Sequence, residues 1–256
     1  MGHLPLTEMS AAEMIRECKT IILALNMQDQ IGIIRQKLKE LKRKDPGFQV
    51  FGASSHRYMN KGRLYEHEVR SFENRFNIHL PPEFREFILQ MGNGGAGPYY
   101  GLEALEDGLF LDLDYKRKTD LTNPALEFPL TEAWNLELAD LGEEEYFQKK
   151  DDEYFDSKWT NGLLRISNFG CGVSMNLVVN GKEYGNIWVD DRCNDGGIFP
   201  DRYFGNAGRI TFLTWYELWL DKSLNEVASI GYAEGGIKDA ISASMPWWKT
   251  LLHRKK

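Results

Sequence analysis

The residue types that could carry chemistry are one glycine-rich run, two acidic clusters, five histidines and three cysteines. Gly92-Asn93-Gly94-Gly95-Ala96-Gly97 satisfies GxGxxG. A dinucleotide fingerprint, however, follows a strand and opens a helix, so that backbone amides face the pyrophosphate. Here the run follows an apolar-periodic helix at 83–91 and leads into Pro98-Tyr99-Tyr100. That context is a helix stop, with glycines letting the chain turn back under a sheet. Asp190-Asp191-Arg192-Cys193-Asn194-Asp195-Gly196 invites a calcium-loop reading. Counted from Asp191, the third position is Cys193 and the twelfth Arg202, where such a loop needs oxygen ligands and a bidentate Glu. A turn closing a strand near Asp190 accounts for it better.

The histidines at 3, 56, 67, 79 and 253 form no HExxH pair, and there is no GxSxG elbow. His56, in a polar loop beside Arg57 and Tyr58, has the surroundings of a general base, with a backbone-satisfied histidine as the alternative. An enzyme would have to use His56 with Asp190 or Asp191. Cys18, Cys171 and Cys193 are odd in number and lack CxxC spacing, which reads as buried or inert free thiols. No catalytic set, metal site or cofactor is implied. What remains is an acidic stretch in which Glu143-Glu144-Glu145 and Asp151-Asp152-Glu153 flank Tyr146-Phe147 and Tyr154-Phe155. It reads either as a solvated acidic face or as a surface complementary to a basic protein, with carboxylates steering association and aromatics anchoring it.

These residues need elements to hold them. Met14, Cys18, Ile21, Ile22 and Leu25 form one helical stripe, and Ile31, Ile34, Leu38 and Leu41 another. The pair predicts a helical hairpin joined near Asn26 and ended by Pro46-Gly47. A loop spans 51–62. A helix over about 66–77 presents Val69, Phe72 and Phe76, and a second begins at Pro81-Pro82 with Phe84, Phe87, Ile88 and Met91 inward. Strand alternation follows at Leu109, Leu111, Leu113 and at Val173, Met175, Leu177, Val179. Asn180-Gly181 predicts a type I′ hairpin with a return strand from Tyr184 to Asp190. A last helix starts after Thr214, with Thr214 and Glu217 spaced as a capping box and Trp215, Leu218 and Trp219 inward. Helices, then antiparallel strands, then a helix give an α+β class. The expected divisions are an N-terminal helical extension (1–45), a main domain (46–225) and a C-terminal tail (226–256).

Net charge is −7, but residues 101–160 alone hold 17 acidic and 6 basic side chains. The one basic stretch is short, which argues against direct nucleic-acid binding. The longest charge-free stretches are too short and too rich in Gly and Asn for a membrane span. No secretory leader is visible, so the cytoplasm is the expected compartment.

Four stretches in order resemble one family. FENRFNIHLPPEFREFILQMGNGGAGPYYGL (72–102) looks like the helix, Leu-Pro, aromatic-rich helix and Asn-Gly-Gly signature of the SUKH superfamily, which includes the fungal cell-wall-assembly and killer-toxin-resistance regulator. FGASSHRY (51–58), GLLRISNFGCGVSMNLVVNGKEYGNIWVDDR (162–192) and TFLTWYELWLD (211–221) are similar to further motifs of a bacterial subgroup. The resemblance covers about 51–222. It implies an α+β domain with an antiparallel or mixed sheet and no catalytic set. It also implies that bacterial members act as immunity proteins, neutralising secreted toxins, often nucleases, that pass between competing cells. Leu80, Pro81, Asn93, Gly94, Gly95, Gly170, Gly172, Trp188 and Trp215 match its motifs and read as fold-forming. The expectation is therefore a non-enzymatic immunity protein gripping a basic toxin domain through Glu143, Glu144, Glu145, Tyr146, Asp151, Asp152, Glu153 and Tyr154, with Asp190 and Asp191 as a lesser patch. The alternative is a regulatory or scaffold module like the fungal member.

Overall fold

The computed structural model describes residues 10–111, 121–136 and 142–234. Helix α1 runs unbroken from Ala11 to Lys44, which corrects the expected hairpin. The two apolar stripes are real but out of phase, and a helix whose apolar face changes side imitates two helices joined by a turn. The second stripe is built into the main core, with Ile31, Ile34 and Leu41 fully buried. Just past the helix, the buried Asp45 carboxylate accepts from the Gln49 and Val50 amides and from Tyr58 Oη at 2.5 Å, tying the chain exit to the next segment.

That segment contains one turn of helix, α2 (Ala53–His56), within the expected loop. Helices α3 (Glu66–Phe76) and α4 (Pro82–Gln90) lie where the periodicity placed them. Pro82 occupies the first turn of α4, where its missing N–H costs nothing. The glycine run behaves as a stop. Gly95 has φ +106, and a Cβ there would lie 2.4 Å from Met59 O, so only glycine lets the two backbones meet.

Strands β1 (Leu163–Gly170), β2 (Val173–Val178), β3 (Ile187–Asp190) and β4 (Ile198–Pro200) form an antiparallel meander in sequence order. The pairs Leu164↔Leu177, Leu177↔Ile187 and Val189↔Phe199 fix its register. Both outer edges are covered. The amides of Tyr100 and Glu103 donate to Asn168 O and Ile166 O of β1, and Trp134 exchanges two hydrogen bonds with Ile198 of β4. Helix α6 (Phe212–Glu234) crosses the inner face beside α1 and α4. The α+β class is thus as expected.

Three local expectations change. Residues 107–109 form a 3-10 turn rather than a strand, Phe110 makes an isolated bridge to Leu121, and Leu113 lies outside the described residues. The β2–β3 connection is longer than a two-residue turn, because the Asn180 carbonyl is taken by the Phe128 amide and the ladder resumes only near Asn186. Helix α6 starts two residues before Thr214. Its Leu213 amide is capped from α4 by Glu83 at 2.9 Å, while Glu217 turns to Lys37 and Gln30 of α1. Trp215 and Trp219 are fully buried as predicted, and Leu218 is half-buried. The C-terminal residues 235–256, with Trp247 and Trp248, lie outside the described residues.

Candidate functional site

Strand β2 is buried along its whole length, because the outer face of the sheet is also covered. Its apolar half, Leu163, Val178, Trp188 and Ile198, packs under Phe128, with Trp134 and Trp159 stacked alongside at 4.1 Å. Its polar half floors a cleft of about 480 Å³ lined by Arg165, Ser174, Asn176, Asp190, Arg192 and Phe155, among others. Two buried arginines work there as staples. Arg165 pairs with Glu103 at 2.9 Å and donates to Phe110 O, holding the 107–110 turn. Arg192 forks onto both Asp190 oxygens at 2.9 and 2.7 Å and donates to Tyr154 O at 2.8 Å. The planar guanidinium suits that bidentate geometry and leaves donors for backbone carbonyls.

The acidic segment lies over this face. Helix α5 (Glu143–Lys149) continues into one wider π turn, Lys150–Tyr154, closed by Phe155 N donating to Lys150 O. Glu143, Glu144 and Glu145 occupy the first turn of α5, where the helix dipole favours carboxylates. Tyr146, Lys150 and Tyr154 are four residues apart and point at the β3–β4 turn. Lys150 pairs with Asp195 at 2.6 Å and donates to Tyr146 Oη, and these bonds push its pKa up to about 12. Tyr154 is fully buried, donates to Asn135 Oδ1 at 2.6 Å and accepts from Gly197 N at 3.0 Å; burial pushes its hydroxyl up to about 12.

The sequence-predicted residues are therefore partly brought together. Glu143, Glu144, Glu145, Asp152 and Glu153 are exposed on one segment; the Asp151 side chain is outside the description. Tyr146 is half-buried, bonded to Lys150 and Asp195. Tyr154 is corrected from surface anchor to interior post, since its ring and hydroxyl serve the fold. The aromatics left outside are instead Phe147, 56% exposed, and Phe155, 42% exposed. The four-residue spacing of Tyr146, Lys150 and Tyr154 was the available sign that the phenylalanines face out. Asp190 and Asp191 are half-buried in the adjoining turn: Asp190 is engaged by Arg192, and Asp191 accepts from Asn194 Nδ2 at 2.6 Å.

The remaining candidates sit apart from this face. His56 is buried; its Nδ1 accepts from the Tyr58 amide, its ring meets Trp219 edge-on, and burial lowers its pKa to about 4. The backbone thus engages one ring nitrogen, as in the alternative reading, while Nε2 is buried with no hydrogen-bond partner among the described residues; the ring lies in the core rather than as a base in a cleft. The three cysteines are free, as expected, but exposed, so of the expectation of buried or inert thiols the buried alternative is corrected. Burial and the nearby Asp190 carboxylate raise the Cys193 thiol, the reverse of activation. Among the described residues, no group of three or more His, Cys, Asp or Glu is placed to hold a metal ion, and no helix is long and apolar enough to cross a membrane.

An antiparallel meander backed by α1, α4 and α6, with an acidic aromatic segment stapled over its outer face, defines an α+β domain. Residues 64–209, more than half of the chain, match the SMI1 / KNR4 family (SUKH-1), and the chain belongs to that family. That membership supports an immunity or regulatory protein-interaction role. No curated protein and no solved structure matches the chain. The family motifs do structural work where they are described: Leu80, Trp188 and Trp215 are buried, Asn93 Oδ1 accepts from the Leu105 amide, and Gly170 and Gly172 take positive φ.

Proposed function

We propose that the protein is a non-enzymatic immunity protein that neutralises a basic toxin domain in the cytoplasm through the exposed surface of residues 143–155. The observation that carries this reading is the fastening of that segment. Tyr146, Lys150 and Tyr154 hold it to the β3–β4 turn, so five carboxylates and two phenylalanines are presented outward from a fixed base. A fixed base matters because ordering a loop on binding weakens a complex, whereas a preorganised one gives its contacts without that cost. Exposed carboxylates steer a cationic partner in a salt-dependent way, and phenylalanines half out of water supply anchor area. A nuclease toxin fits because its substrate groove is basic, and occupying that groove competes with nucleic acid.

The experiment is co-expression with toxin domains encoded nearby, co-purification, and measurement of association rates. Replacing Glu143, Glu144, Glu145, Asp152 and Glu153 by Lys is expected to slow association by about tenfold or more at low salt, with the difference closing at high salt. Phe147→Ala and Phe155→Ala are expected to raise the dissociation rate instead. A toxin pair whose association rate is indifferent to the charge reversal would remove this surface from the reading.

A further inference from the structure

Helix α1 carries two apolar stripes that face opposite ways. In its second half Ile31, Ile34, Leu38 and Leu41 are buried, and α1 packs on α4 and α6. In its first half Met14, Ile15, Ile21, Ile22 and Leu25 are 52–59% exposed. At about 100° per residue, the first stripe centres on the direction of Cys18 and the second lies about half a turn away. The elements that seat the helix therefore stand behind the first stripe.

We propose that the first half of α1 pairs with the same helix of a second copy of this chain, as a two-fold helical dimer. Spacing favours that occupant: Met14, Cys18, Ile21 and Leu25 step by four, three and four residues, a helix-to-helix seam, and Ile15 and Ile22 widen it. Geometry allows it, because with the seam on the far side of each helix the two bodies lie outside the pair and do not collide. Charge permits it, because Glu13, Arg16, Glu17 and Lys19 sum to zero, so like meets like without repulsion. The same neutrality gives no strongly basic face of the sort that fixes a helix to anionic lipid. The five exposed side chains offer roughly 100 Å² each, so two copies would bury about 1,000 Å², the lower bound of a specific interface. The dimer is accordingly weak and concentration-dependent.

The test is sedimentation or light scattering of the full chain from about 1 to about 200 μM, the range in which an interface of this size associates. The mass is expected to rise from 29.5 kDa towards twice that value. Ile21→Glu with Leu25→Glu, and separately Ile15→Lys with Ile22→Lys, should hold it at the monomer throughout. Leu23→Glu, also exposed but pointing away from the seam, should shift the dissociation constant by less than about threefold. All five substitutions lie on exposed helix, and equal far-UV circular dichroism of the three variants checks that they leave the fold intact. A wild-type chain that stays monomeric at the top concentration overturns the proposal. So does a Leu23→Glu chain that dissociates as fully as the seam variants, or a monomer that binds anionic vesicles through the same stripe.

Discussion

Tyr154→Phe isolates the hydroxyl that fastens the acidic segment. The ring stays, and with it the contacts to Trp134 at 5.5 Å and Phe155 at 5.4 Å, so no cavity forms. What goes is one acceptor and one donor. The buried Gly197 amide loses its partner at 3.0 Å, and Asn135 Oδ1 loses a donor at 2.6 Å. A buried group left unpaired costs about 1–3 kcal/mol and the lost bond itself about 1 kcal/mol, so a total of about 2–4 kcal/mol is expected. Urea unfolding at neutral pH should show a lower midpoint at unchanged slope, the mark of lost stability without a change in compactness. Hydrogen exchange should quicken at 142–155 and in the β3–β4 turn before it does elsewhere, since both sides of the fastening are released. Tyr146→Phe is the comparison. The residue is only half-buried, and its hydroxyl accepts from Lys150 at 2.9 Å and donates to Asp195 at 3.2 Å, charged partners that water can replace, so about 1 kcal/mol or less is expected. If Tyr154→Phe costs no more than Tyr146→Phe and leaves exchange at 142–155 unchanged, then Tyr154 is not the fastening, and the preorganised surface loses its basis.

Asp201 is fully buried after β4, and desolvation pushes its pKa up to about 6 from an ordinary 3.8. The folded chain therefore holds that proton more tightly than the unfolded one, so its contribution to stability is most favourable below pH 4 and declines by about 3 kcal/mol as pH rises through 6. Asp201→Asn should flatten the pH-stability profile between 4 and 6 relative to wild type; parallel profiles would refute the assignment. Gly52→Ala should destabilise by about 3 kcal/mol or more, since φ is +77 and the added Cβ would fall 1.7 Å from Tyr99 O, whereas Gly62→Ala meets nothing within 4 Å and should be tolerated on thermal melting.

Much of the scaffold was legible because it obeys one local rule at a time. Helices α3 and α4 follow from Val69, Phe72 and from Phe84, Phe87, Ile88 at helical spacing, and the glycine stop follows from its place after a helix. The unbroken α1 was not legible, since a change of apolar phase within a helix and a turn between two helices leave the same pattern of residues. Ser174 and Asn176 look like an exposed strand face; they are buried, in a cleft walled by Gly108, Phe110, Leu111 and Thr122 and by Phe155, Ser157 and Thr160, all distant in sequence. The acidic segment was visible as composition, but which aromatics face water depends on where the β3–β4 turn lies. That is long-range information, and it exchanges Tyr154 for Phe155.

Both margins of the sheet are occupied by the chain's own backbone, β1 by residues 100–103 and β4 by Trp134. Among the described residues, neither margin presents an unbroken row of free amides and carbonyls to a visiting peptide, which disfavours recruiting partners by extending the sheet. Such a frame favours recognition through side chains. A surface coded by side chains can change its specificity by substitution while the hydrogen-bonded frame beneath stays the same.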